Sequence, residues 1–282
     1  MYTTLIEAAP LAAMLQDPDV VILDCRFDLM RPEWGRQAYE SGHIPGALYA
    51  HLDEDLSGAV TPQTGRHPLP SRERFAETLG RWGIDSRVQV VAYDQANSAF
   101  AARLWWMLRW MGHEAVAVLN GGFAAWQAAG LRVVSEISPR AARQFVPREP
   151  LTNVVTTAQL EQALARGDSL LVDARAADRF AGQNETIDPV AGHIPGACNH
   201  PFAANLQPDG KFLPAQELRR RWEATLQGRP AAQVISMCGS GVTACHNLLA
   251  LQIAGLGDAQ LYGGSWSEWI RDPSRPVARG PA

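Results

Sequence analysis

The hexapeptide Gly42-His-Ile-Pro-Gly-Ala47 recurs unchanged as Gly192-His-Ile-Pro-Gly-Ala197, displaced by 150 residues (193 − 43). Three more segments repeat in the same order. Val20-Val-Ile-Leu-Asp-Cys-Arg26 matches Leu170-Leu-Val-Asp-Ala-Arg175, Val88–Asp94 matches Gln233–Cys238, and Gly121-Gly-Phe-Ala-Ala-Trp126 matches Gly264-Ser-Trp-Ser-Glu-Trp269. A period of about 145 residues is too long for a solenoid repeat, so the pattern is a domain duplication. The length of 282 residues suits two domains of roughly 150 each. The expected boundaries are an N-terminal domain over 1–136, a linker over 137–151 and a C-terminal domain over 152–282. The linker holds Pro139, Pro147 and Pro150 and lacks helical or strand periodicity.

Composition narrows the function classes. Hydrophobic residues are 46 % and charged residues 19 %, and the net charge is −4, as in an ordinary packed globular protein. No basic surplus is available for counterion release on nucleic acid. No apolar run approaches the roughly 20 residues that span a bilayer. The N-terminal residues lack the basic and long apolar regions of a secretory signal. Four cysteines, Cys25, Cys198, Cys238 and Cys245, are too few for a disulfide framework, and none forms a CxxC pair. A cytoplasmic protein without metal or organic cofactor is expected.

Within each half, short apolar runs (Val20–Leu23, Val88–Ala92 and Ala115–Val118; Leu170–Val172, Val234–Met237 and Ala259–Tyr262) read as buried strands. Helical stretches over Ser71–Arg81, Ala99–Met111, Gln159–Ala165, Ala215–Gln227 and Val242–Ala254 separate them. The predicted class is α/β, each domain a mostly parallel sheet flanked by helices. In such sheets, sites lie beyond the carboxyl ends of strands.

That rule directs attention to Cys238-Gly-Ser-Gly-Val-Thr-Ala244, between a strand and a helix. Gly239 and Gly241 permit backbone angles closed to other residues. Such a loop can turn successive N–H groups inward as an anion nest, and the helix N-terminus adds roughly half a positive charge. A cysteine there should exist partly as thiolate, the nucleophilic form. Inward N–H groups are expected from Gly239, Ser240, Gly241, Val242 and Thr243. The first half carries Asp94 at the equivalent place, and a carboxylate cannot form the bond that sulfur forms. The first domain therefore reads as non-catalytic and the second as catalytic.

With the paired Gly-His-Ile-Pro-Gly-Ala motifs, the Asp-x-Arg strand ends and the Cys-Gly-Ser-Gly-Val-Thr-Ala loop, the chain resembles the rhodanese superfamily in its tandem form, over roughly 4–272. The loop is similar to that of members acting on 3-mercaptopyruvate; thiosulfate-preferring members carry basic residues at the places of Gly239 and Ser240. The resemblance implies a sulfurtransferase. Its cysteine takes sulfane sulfur from a small donor as a persulfide and passes it to cyanide or a thiol, with a thioredoxin-like reductant as a further candidate partner. It assigns Ser240 a proton relay with a histidine of the first domain, for which His43 is the candidate. It assigns Arg179 to the substrate carboxylate, a role that suits the planar guanidinium fork. Its second arginine falls at Thr186, which leaves one positive charge fewer for a pyruvate-type donor.

Other residues carry weaker expectations. Arg66 and His67, in Thr64-Gly-Arg-His-Pro68, have no copy in the second half and are secondary site candidates, as is Trp34 beside Glu33. His193, Asp24 with Arg26 and Asp173 with Arg175 occur in duplicated motifs and read as structural. Two alternatives stay open: a thiosulfate:cyanide sulfurtransferase, and a persulfide carrier serving a protein partner. A Cys-x5-Arg phosphatase would need arginine at position 244, which is alanine.

Overall fold

The apolar runs form strands that helices cover on both sides, which requires residues buried along their whole length rather than alternately. The computed structural model describes residues 1–281 in two units. The first comprises Met1–Gly58, Pro70–Leu151 and Gln207–Phe212. Its strands lie in the order Leu5–Ile6, Val116–Leu119, Gln89–Tyr93, Val20–Asp24 and Leu48–Tyr49, all parallel. Every residue of Val20–Asp24 and Gln89–Tyr93 is buried. The second unit comprises Ala59–Leu69, Thr152–Leu206 and 213–281. Its order is Asn153–Val155, Gln260–Tyr262, Val234–Met237, Leu170–Asp173 and Cys198–Asn199, again parallel. The two sheets repeat one topology, as the duplicated motifs require.

Local chemistry sets the helix ends. Ser71 caps Arg72–Arg81 by accepting the Arg74 N–H at 3.2 Å. Thr156 and Gln159 form a capping box at the start of Thr157–Arg166. The helix Thr243–Ile253 is buried on nearly all sides, so it shows little of the amphipathic pattern by which surface helices are read. Among the described residues no helix is long and apolar enough to cross a membrane.

Two segments leave chain order. The backbone N–H of Arg66 donates to Ser267 Oγ at 3.1 Å, and Arg271 Nε donates to the Thr64 carbonyl at 3.0 Å. A Cβ on Gly65 would lie 2.6 Å from the Gly264 carbonyl oxygen, so only glycine permits this approach. Residues 59–69 therefore fold with the second unit. Conversely, Phe212 N–H donates to Asn120 Oδ1 and Lys211 pairs with Glu7, which ties 207–212 to the first. The stretch expected as a linker belongs to the first unit: Arg143, Arg148 and Leu151 donate backbone N–H groups to the carbonyls of Gly80, Met111 and Arg109. It is aperiodic because it is a strap held by single hydrogen bonds.

The duplicated motifs do the same work in both units. Asp24 and Asp173 each take a bidentate pair of hydrogen bonds from the arginine two residues on, Nε of Arg26 or Arg175 donating to Oδ1 and Nη2 to Oδ2. That arginine also donates to the carbonyl of Gly42 or Gly192. Both pairs are buried and lock the strand end to the His-Ile-Pro-Gly turn. His43 stacks on Tyr39 and His193 on Phe180.

Candidate active site

The strand Val234–Met237 delivers Cys238 to the carboxyl edge of the second sheet. Its Sγ accepts the Gly241 N–H at 3.1 Å. Gly241 has φ +78°, and a Cβ there would sit 2.3 Å from the Gly263 carbonyl oxygen, so both conformation and space demand glycine. Val242 caps the helix that begins at Thr243, and its positive end lies at the loop. Of the expected inward amides, Gly241 is the one bonded to the sulfur. Gly239 instead offers its carbonyl, which accepts the Ser267 N–H at 2.9 Å.

A second segment clamps the loop. The Cys238 N–H donates to Ser265 Oγ at 3.0 Å, and that hydroxyl donates to the Tyr262 carbonyl at 2.9 Å. Ser265 is fully buried with φ +54°, an uncommon conformation that costs a non-glycine residue energy and clusters at functional sites. The first half has Gly122 at this place, with φ +57°. The serine adds a tether on the cysteine backbone that the glycine cannot supply. In the sequence the signal is a serine aligned with a glycine between the two halves.

Ser240 is buried and its Oγ lies 2.7 Å from His67 Nδ1. His43 does not take that role. Its Nδ1 faces the Tyr39 carbonyl at 2.7 Å and its Nε2 the Glu136 carbonyl at 3.2 Å, so both ring nitrogens serve the first unit's own backbone. Trp34 opens the helix Trp34–Ser41 with the Arg31 guanidinium over its ring.

Arg179 and Arg66 converge on Gly239. From the point where a Cβ on Gly239 would lie, Arg66 Nη2 is 2.9 Å away and Arg179 Nη2 3.7 Å. The guanidiniums end a ladder of alternating charge. Asp173 pairs with Arg175 at 2.7 Å, Arg175 with Glu185 at 3.5 Å, Glu185 with Arg179 at 2.8 Å and Arg179 with Asp188 at 3.3 Å; Asp188 closes on Arg66 in a short ion pair. Burial pushes the Glu185 carboxyl up, but hydrogen bonds from Arg179 and from the Asp188 and Ile187 N–H groups outweigh it and hold it below its ordinary value. For Asp188 burial wins, with the Glu185 charge adding to it, and the carboxyl stays raised despite Arg66 and Arg179. Neither acid was singled out in the sequence, where 184–188 drew attention only for Thr186.

The first unit shows what the nest does without sulfur. Asp94 accepts the N–H groups of Ser98, Phe100 and Ala101 at 2.9, 2.9 and 3.2 Å. Its own carboxylate fills the loop that a substrate anion would occupy. Two of the other thiols are held protonated: burial pushes Cys25 well up and Cys198 to about 11. Cys238 itself is only 2 % exposed, a tighter enclosure than a freely accessible nucleophile would need, although the Gly241 amide does face it.

The rhodanese-like domain family matches residues 7–129 and 156–272. The chain is 49 % identical to a Pseudomonas aeruginosa protein named "Probable 3-mercaptopyruvate sulfurtransferase", over 98 % of each chain. It is 34 % identical to the thiosulfate sulfurtransferase of Mus musculus, over 99 % of this chain and 97 % of that protein. Its fold is similar to 3-mercaptopyruvate sulfurtransferase from Leishmania major, with TM-score 0.85 and 33 % identity, covering 96 % of this chain and 76 % of the other.

Proposed function

From the premise that this chain belongs to the rhodanese family, we propose that it is a sulfurtransferase that moves sulfane sulfur from 3-mercaptopyruvate through a Cys238 persulfide to a thiol or cyanide. The observation that carries this reading is the Gly241 N–H on the Cys238 sulfur at 3.1 Å, in a loop with no basic side chain of its own. A backbone amide donating to the sulfur fixes its position at the mouth of the loop, where a donor sulfur must meet it.

In the proposed reaction the Cys238 thiolate attacks the donor sulfur, forming an S–S bond. The donor C–S bond breaks and its electron pair stays on carbon as the pyruvate enolate, which takes up a proton. The Ser240–His67 pair supplies a path for that proton. Arg179, whose Nε and Nη2 are held by Glu185, offers its Nη1 to the donor carboxylate. In the second half-reaction the outer sulfur passes to cyanide or a thiolate and Cys238 leaves as thiolate. A thioredoxin-like dithiol is the kind of protein acceptor this chemistry suits.

Thiosulfate is the second reading for the donor, favoured by the two guanidiniums beside Gly239. The two readings separate by kcat/KM for each donor on one preparation, with cyanide as acceptor. The proposal expects 3-mercaptopyruvate to exceed thiosulfate by at least about a hundredfold, ~2.7 kcal/mol in transition-state binding. Equal values or a preference for thiosulfate would overturn the donor assignment.

A further inference from the structure

The six-residue charge ladder has unequal ends. Asp173 and Arg175 are inside the unit, whereas the Arg66 side chain is 27 % exposed, the most of any member. Arg179 holds two carboxylates; Arg66 pairs with one, Asp188. The Arg66 Nε finds no protein acceptor among the described residues. Its backbone is fixed by Ser267, and its Nη2 comes closer to the Gly239 Cβ position than Arg179 does. Arg66 therefore combines a fixed base, an exposed head and spare donors, next to the nucleophile.

We propose that Arg66 is the second guanidinium of the donor-carboxylate site, and that Asp188 holds it as an exchangeable partner which the incoming carboxylate replaces. This rests on the sulfurtransferase reading and deepens it. It accounts for Thr186, which has no cationic side chain: the missing charge comes from a different segment of the chain. It also makes Asp188 a selectivity residue. Two acids, Glu185 and Asp188, balance two guanidiniums, so the resting site is close to neutral. A monoanion can replace the single Asp188–Arg66 pair, while a dianion brings a second charge with no second free cation. Arg179 stays with Glu185, so Asp188 keeps one cationic partner after the exchange.

The test compares 3-mercaptopyruvate with 1-mercaptopropan-2-one, which carries the same thiol and ketone but no carboxylate. Arg66→Met is expected to raise KM for 3-mercaptopyruvate about tenfold, the worth of one charge-assisted bidentate contact. Its effect on the neutral ketone should be several-fold smaller. Arg66→Lys should recover only part of the loss, since a point charge lacks the fork. Asp188→Asn should have the opposite sign, lowering KM for 3-mercaptopyruvate and raising the relative use of thiosulfate. Equal losses on the two ketones in Arg66→Met, or a raised 3-mercaptopyruvate KM in Asp188→Asn, would overturn the inference. Calorimetric binding of pyruvate to Cys238→Ser, with and without Arg66→Met, separates it from the underlying reading. Arg66-dependent pyruvate binding to Cys238→Ser, with no sulfur transfer by the native protein, would sink the reading and leave the carboxylate site standing. Sulfur transfer with Arg66-independent pyruvate binding would do the reverse.

Discussion

His67 Nδ1 lies 2.7 Å from Ser240 Oγ, although 173 residues separate them in the chain. Folding 59–69 against the second unit brings the two together. A buried hydroxyl bonded to an imidazole is a proton path, and general acid–base contributions of this kind are typically about 10²–10⁴-fold. His67→Gln and Ser240→Ala should each lower kcat for 3-mercaptopyruvate by about a hundredfold, with the double variant little worse than either single one. Multiplied losses in the double variant would show that the two act separately.

Ser265 makes a second, independent prediction. Ser265→Ala and Ser265→Gly both remove the acceptor for the buried Cys238 N–H, an omission worth about 1–3 kcal/mol. Only glycine relieves the positive φ. The glycine variant should therefore be the more stable of the two in urea denaturation. Both should lose kcat while donor KM changes little, because the residue positions sulfur and not substrate. An alanine variant as stable as the glycine one would contradict the strain argument.

The fold was legible because duplication exposed it. The apolar runs Val20–Leu23 and Leu170–Val172 read as buried strands, and they form the strands Val20–Asp24 and Leu170–Asp173. The two-residue strands Leu5–Ile6, Leu48–Tyr49 and Cys198–Asn199 carry no periodicity to detect; they exist because a sheet edge is there to receive them. At the site, Cys238 and its glycines announce themselves, since the loop chemistry is local. The partner of Ser240 does not. His43 is the candidate because the family resemblance asks for a histidine of the first domain, yet its motif is repeated, and repetition marks what both halves need to fold. His67 is unduplicated, as befits a residue needed in one half only. Asp188 was invisible for a further reason: an acid looks out of place in an anion site until the guanidinium it holds is seen.

The two acids of the ladder should separate in acid. Glu185 sits below its ordinary carboxyl value, so its stability contribution is full above the unfolded-state value and is lost as pH falls through its folded one. Asp188 is raised, so the sign reverses: the carboxylate opposes folding at neutral pH, and protonation relieves it. Urea midpoints measured from about pH 6 down to about pH 3 should fall less steeply in Glu185→Gln than in the native protein, and more steeply in Asp188→Asn. The same acid limb in all three proteins would show that neither carboxyl carries the shift.

The account's central claim is that Cys238 carries the transferred sulfur. Incubating the protein with 3-mercaptopyruvate and no acceptor, then mapping peptides by mass spectrometry, tests it directly. One added sulfur atom is predicted on the peptide containing Cys238, removed by cyanide with an equal yield of thiocyanate and absent in Cys238→Ser. Sulfur found on Cys25, Cys198 or Cys245 instead, or thiocyanate formed by Cys238→Ser, would contradict it.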